Sequence, residues 1–167
     1  SGARLGAGGY HTCAIKEDGS LWCWGRNSGG QLGDGTNSDS NTPVQIMSEG
    51  VVAVSLGLAH TCAIKQDGSL WCWGANGSGQ LGDGGANYPN TNTPVRIMSE
   101  GVVAVSLGGY HTCAIKEDGS LWCWGDNDYG QLGDGTYSDS NTPVQIMSEG
   151  VSAVALGLYH TCAIKED

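Results

Sequence analysis

The sequence has no phenylalanine, 4 prolines and only 7 Lys plus Arg among 167 residues. Each shortage excludes something. Set against 17 Asp plus Glu, so few cations leave a net charge of −10. A surface for nucleic acid or anionic lipid needs concentrated Lys and Arg, so neither nucleic acid nor membrane insertion is expected. Charged residues make up 14 %, below the roughly 25 % of an average chain. The longest apolar run lies near Val51–Leu58, far short of the roughly 20 residues of a membrane span. No signal peptide is visible, and the chain opens at Ser1, which reads as a mature or partial product. Few prolines and no G-X-Y period exclude collagen. No segment keeps a 3.6-residue apolar period for three turns. That absence and the frequent glycine disfavour a helical solenoid.

What is abundant is glycine, at 29 residues against a usual share of roughly 7 %, and repetition. The string His-Thr-Cys-Ala-Ile-Lys begins at His11, His60, His111 and His160, at spacings of 49, 51 and 49. The two extra residues of the second unit fall in Gly84–Asn92, where the first unit has Gly35–Asn41. An insertion confined to a Gly/Asn/Pro-rich stretch marks a surface loop. The units run 1–49, 50–100 and 101–149, with a partial fourth at 150–167. The first and third are near copies: His11–Gly25 matches His111–Gly125, and Ser38–Gly50 matches Ser138–Gly150.

One unit reads as four short strands. Val102–Leu107 is a continuous apolar run suited to a strand buried on both faces. His111–Lys116 and Leu121–Trp124 flank the hairpin signal Glu117-Asp118-Gly119. Val144–Met147 follows a Thr-Pro, with proline at the strand entry. An all-β fold of four-stranded blades of about 50 residues follows, the unit of a β-propeller.

The hairpin dictates which side chains meet. With Glu17-Asp18-Gly19 as a three-residue loop and Gly19 left-handed, Lys16 faces Ser20, Ile15 faces Leu21, Ala14 faces Trp22 and Cys13 faces Cys23. The cysteines then share a non-hydrogen-bonded pair, where side chains sit close. One face carries Cys13, Ile15, Leu21 and Cys23; the other carries Thr12, Ala14, Trp22 and Trp24. Both are apolar, as a blade between two others requires.

Gly-x-x-His-Thr-Cys-Ala-Ile, then Asp-Gly-Ser-Leu-Trp-Cys-Trp-Gly, then Asn-x-x-Gly-Gln-Leu-Gly, then Thr-Pro-Val resembles the regulator of chromosome condensation repeat, in a bacterial-type, cysteine-containing form. The resemblance covers nearly the whole chain and implies a β-propeller, usually of seven blades. Family roles are diverse, so the fold alone does not assign one. Three units and a part cannot close a ring of 4–8 blades. The chain is therefore expected to be a piece of a longer propeller, or else to be completed by partner chains at an open blade edge.

Seven cysteines follow C-x9-C three times: Cys13/Cys23, Cys62/Cys72 and Cys113/Cys123, with Cys162 left unpaired. We read the pairs as disulfides, whose compartment is extracellular, periplasmic or cell-surface. Free core thiols and a His/Cys/Cys metal site are the alternatives. No metal and no cofactor is expected. Gly-Asp-Gly-Thr with Asp39 or Asp139 offers oxygens for Ca²⁺, but neither an EF-hand spacing nor a Gly-Gly-x-Gly-x-Asp run is present. A histidine in every unit reads as a hydrogen-bonder tying one blade to the next, and the tryptophans read as core. Asn76-Gly77-Ser78 matches a glycosylation sequon.

Positions identical in all units are scaffold; those that differ are drift or function. They cluster in the turn before Gly-Gln-Leu-Gly and in the long loop. The partner-binding candidates are Arg26, Ser28, Asn37, Tyr88, Pro89, Asp126, Asp128, Tyr129 and Tyr137, with Tyr10, Tyr110 and Tyr159 as a weaker set. Near-copy units argue against one catalytic pocket. The expectation is a non-enzymatic extracellular scaffold that binds a protein partner, or self-assembles, through loops and its open blade edge. The resemblance also implies two alternatives: a secreted enzyme inhibitor like the β-lactamase-inhibiting propellers, and a guanine-nucleotide exchange or chromatin factor.

Overall fold

A computed structural model describes residues 4–166; Asp167, at the end of the fourth unit, and the first three residues lie outside the described part. The first sheet holds β1 (Leu5–Ala7), β2 (His11–Ile15), β3 (Leu21–Gly25) and β4 (Ser40–Met47). The second holds β5 (Val51–Leu56), β6 (His60–Lys65), β7 (Leu70–Gly74) and β8 (Thr91–Met98). The third holds β9 (Val102–Leu107), β10 (His111–Lys116), β11 (Leu121–Gly125) and β12 (Ser140–Met147). β13 (Val151–Leu156) and β14 (Thr161–Lys165) pair as a two-stranded fourth unit. Within each sheet, strands pair with their sequence neighbours, and every pair is antiparallel. The architecture is three propeller blades and a partial fourth.

The β2–β3 hairpin has the register its sequence dictates: Cys13 opposite Cys23, Ala14 opposite Trp22, Ile15 opposite Leu21. Gly19 sits at φ 82°, the left-handed position that closes a three-residue loop. A short relay locks the turn. Asp18 Oδ1 accepts from Ser20 N (2.9 Å) and Ser20 Oγ (2.6 Å), and Ser20 Oγ accepts from Trp22 Nε1 (2.9 Å). The same relay recurs at Asp67-Ser69-Trp71 and Asp118-Ser120-Trp122. The serine hydrogen bonds hold these three carboxyls below their ordinary range. The Asp-Gly-Ser-Leu-Trp string is thus a turn that fastens its own tryptophan.

The outermost strand differs from expectation. It starts at Ser140, not Val144, so Pro143 lies inside β12. The ladder tolerates proline because its register shifts between Cys123↔Val144 and Gly125↔Ser140. At that bulge, on the sheet's outer edge, no N–H is needed.

The blades pack face to face. Cys13, Ile15, Leu21 and Cys23 of the first blade bury against Val54, Leu56, Ala63 and Trp73 of the second. Cys62, Ile64, Leu70 and Cys72 bury likewise against Leu107, Ala114 and Trp124 of the third. Both of these interfaces therefore set a cysteine face against an alanine–tryptophan face. Disulfides join Cys13–Cys23, Cys62–Cys72 and Cys113–Cys123, and Cys162 is free and exposed. The bridging cysteines are fully buried, so the disulfides double as core side chains.

Candidate functional site

In each of the three blades the first–second and third–fourth strand connections emerge at the same end, and all the candidate binding residues belong to that end. Its frame is invariant. His11 Nε2 lies 2.8 Å from Thr61 Oγ1 of the next blade, and Thr61 Oγ1 donates to the Gln31 carbonyl at 2.7 Å. His60–Thr112–Gln80 and His111–Thr161–Gln131 repeat the link. Because the hydroxyl proton goes to the carbonyl, the histidine must donate from Nε2. Nδ1 of His11, His60 and His111 is then the bare nitrogen, buried without a partner among the described residues. Burial pushes the imidazoles down, to about 4 for His11 and His111 and about 3 for His60. A neutral histidine that ties blade to blade is a structural part, not a base facing a substrate.

A buried asparagine shapes each long loop. Asn27 donates from Nδ2 to Asp34, Thr36 and Ser38, its Oδ1 accepts from Leu32 N (2.9 Å), and its own N–H reaches Asp39 Oδ1 (2.8 Å). Asn127 repeats this with Asp134, Thr136, Ser138, Leu132 and Asp139. Asn76 does the same in the second blade, with Asn90 in place of the aspartate. Asn76 is fully buried with its amide engaged. That corrects the sequon reading: the folded chain offers no side chain there for glycosylation.

The variable residues gather blade by blade. In the first, Arg26 Nε donates to Ser28 Oγ (3.0 Å), and its guanidinium lies 5.3 Å from the Tyr10 ring centroid. Asn37 Nδ2 donates to Ser28 O, and Asn37 Oδ1 accepts from Asn92 Nδ2 of the second blade (3.0 Å), so Asn37 belongs to a seam. In the second, the inserted loop turns through left-handed Asn87 (φ 63°) and Tyr88 (φ 50°) just before Pro89, leaving Tyr88 partly exposed.

In the third blade, Asp126, Asp128 and Asp139 bring carboxylate oxygens within 4.8 Å of one another. Burial, then the charges of Asp126 and Asp128, raises the Asp139 carboxyl above its ordinary value. Gln131 Nε2 donates to Asp126 Oδ2 (2.9 Å), while Gln131 Oε1 accepts from Tyr129 N (2.9 Å). The Tyr129 ring meets Tyr159 edge-on at 5.3 Å, and Tyr159 lies 6.4 Å from Tyr110. Tyr129 and Tyr137 are exposed. Reading the sequence did not foresee that Asp139 joins the Asp126/Asp128 pair or that Tyr129 meets Tyr159. The second contact spans two blades, and no spacing within one unit encodes it.

These features define a class: a repeat-built propeller whose core and seam residues recur from blade to blade and whose end loops differ. The family model of the RCC1-like domain matches residues 3–167, and the chain belongs to that family. It is 33 % identical over 132 residues to the human E3 ubiquitin-protein ligase HERC2, covering 77 % of this chain and 3 % of the relative. It is 34 % identical over 133 residues to the ultraviolet-B receptor UVR8 of Arabidopsis thaliana, covering 77 % of this chain and 30 % of the relative. The chain thus spans a minor part of either. Among solved structures, Prp20p from Saccharomyces cerevisiae, studied for binding to Gsp1p and histones, superposes with a TM-score of 0.82 at 18 % identity, covering 98 % of this chain and 44 % of that one. Yeast RCC1 bound to Kap60 gives 0.82 at 22 % identity, covering 98 % and 42 %. At these identities the likeness is one of fold.

Proposed function

We propose that this chain is a non-enzymatic protein-binding scaffold of an oxidising compartment (extracellular, periplasmic or cell-surface), which meets its partners through the end loops. The observation that carries the reading is the division of labour between fixed and variable residues. Core, seam histidines and disulfides repeat from blade to blade, while Arg26, Tyr88, Asp128, Tyr129 and Tyr137 change and lie at one end. Exposed tyrosines suit protein contact because they add area at low entropy cost. The disulfides favour an oxidising compartment. Among the described residues no helix is long and apolar enough to cross a membrane. The scaffold acts without cofactor, metal or nucleic acid, and self-assembly through the open blade edge is one form its binding takes. An enzyme-inhibitor role is a special case of the same end-loop binding.

A second reading is an exchange or chromatin factor. It draws on the fold shared with Prp20p, and a net charge of −10 weighs against it. One experiment separates the two: alkylation of the protein from its native source before and after reduction. Protection of Cys13, Cys23, Cys62, Cys72, Cys113 and Cys123 until reduction fits the extracellular reading, whereas their alkylation without reduction overturns it. Affinity capture of partners with wild type and with Tyr88→Ala/Tyr129→Ala then tests the loops. Unchanged capture ends the loop-binding reading.

A further inference from the structure

The first and third blades are near copies, so the places where their end loops differ can be compared atom by atom. In the first blade the Arg26 guanidinium lies over Tyr10, 5.3 Å from its centroid. One hundred residues on, the tyrosine remains as Tyr110, but Asp126 stands in place of the arginine and Asp128 in place of Ser28. The third blade has kept the aromatic half of a cation–π pair and replaced the cation with carboxylates.

Three further observations make this a surface for a guanidinium. Segment 126–140 contains no Lys or Arg, so the loop supplies no cation to Asp126, Asp128 and Asp139. Beside them the Tyr129 ring meets Tyr159 edge-on at 5.3 Å, and Tyr159 lies 6.4 Å from Tyr110. Gln131 holds both halves, donating to Asp126 and accepting from the Tyr129 backbone, so the arrangement stands preorganised before anything binds.

We propose that the third blade's end loops, with Tyr110, Tyr129 and Tyr159 beside Asp128 and Asp139, form a docking surface for an arginine-bearing segment of a protein partner; Asp126 is buried, its oxygens accepting from Asp128 N and Gln131 Nε2, and holds the loop in shape. The segment's guanidinium takes the place over tyrosine that Arg26 fills within the first blade. Arginine is favoured over lysine because its planar group stacks on an aromatic face and pairs with carboxylates through a fork of donors. The proposal rests on the reading of the chain as an end-loop binding module and names the partner's chemistry.

The test is fluorescence anisotropy at physiological ionic strength with a labelled Gly/Ser peptide carrying spaced arginines, and with lysine, glutamate and uncharged counterparts. The expected result is that the arginine peptide binds several-fold tighter than the lysine peptide. Tyr129→Ala and Asp128→Asn should each weaken it by about tenfold. Glu149→Gln, an exposed site at the opposite end of the same blade, changes the net charge equally and should leave binding unchanged. Equal binding of the lysine peptide, or an equal loss in Glu149→Gln, overturns the proposal in favour of unspecific charge attraction. Self-association of the protein that depends on Asp128 overturns it in favour of a second copy as occupant. If an acidic or uncharged peptide binds in a Tyr129-dependent way and the arginine peptide does not, the partner chemistry is wrong while the end-loop reading stands. If no peptide responds to either variant, the arginine proposal falls, and partner capture with Tyr88→Ala/Tyr129→Ala decides the end-loop reading separately.

Discussion

Thr61, Thr112 and Thr161 each accept from a histidine of the preceding blade and donate to a glutamine carbonyl of that same blade. One hydroxyl therefore joins two loops across every seam, and the imidazole stays neutral because its second nitrogen is buried without a partner among the described residues. Adding a proton there puts an uncompensated charge in the interior. The folded chain resists protonation down to about 4 at His11 and His111 and about 3 at His60, while the unfolded chain takes up protons below about 6.5. The unfolded state then binds more protons, so stability falls as pH falls. The window runs from about 6.5 down to about 4, with up to about 1.4 kcal/mol per unit for each histidine. The turn aspartates Asp18, Asp67 and Asp118, held low by their serines, contribute only below this window. We therefore expect the urea midpoint to drop between about pH 7 and about pH 5, and the slope to flatten in His60→Gln. A midpoint that holds constant or rises on acidification contradicts neutral seam histidines.

At the scale of the element, the hairpin was fully legible in the sequence and the outer strand was not. A three-residue loop with glycine at its left-handed position leaves one register, and from that register the cysteine pairing and both blade faces follow. β4 and β12 carry a proline inside an edge strand at a bulge, and a bulge leaves no period to read. The Gly-Gln-Leu-Gly loop shows how chain and packing divide the demand for glycine. Gly33 and Gly35 share φ +82°, but a Cβ on Gly33 would lie 2.6 Å from Trp73 Nε1, whereas one on Gly35 meets nothing within 4 Å. The pair separates backbone strain from steric conflict. Gly35→Ala should cost about 1 kcal/mol, the left-handed penalty alone. Gly33→Ala should cost at least about 2 kcal/mol more, as the loop is forced off the next blade's tryptophan. Equal losses in chemical denaturation show that the loop moves freely and that the tryptophan contact adds nothing.

At the scale of the whole molecule, the repeat length and the two apolar faces of each hairpin were enough to read stacked blades, and the histidines were read as ties between them. The candidate site was legible only in part. The variable positions could be enumerated by comparing units, but the meeting of Asp139 with Asp126 and Asp128, and of Tyr129 with Tyr159, depends on loop folding and on the fourth unit lying against the third. The axis adds a longer period. Two residues before His11, His60, His111 and His160 stand Gly9, Leu58, Gly109 and Leu158, which line a cavity of about 240 Å³, so large and small alternate from blade to blade. A Cβ at Gly9 would lie 2.6 Å from Leu58 Cδ1 and 2.7 Å from Leu58 O, and one at Gly109 would lie 3.1 Å from Leu158 Cδ2. At this position a glycine meets the next unit's leucine in both the first–second and the third–fourth seams, in keeping with the 100-residue near-repetition of the first unit by the third. A double-mutant cycle tests this. Gly9→Ala should cost roughly 2 kcal/mol by overpacking, Leu58→Ala roughly 1 kcal/mol by lost burial, and the double variant about 1 kcal/mol less than their sum. The relief is incomplete because the Leu58 carbonyl stays in place. Strict additivity in urea unfolding means that Leu58 does not fill the space Gly9 leaves, and that the alternation around the axis has no part in holding the blades together.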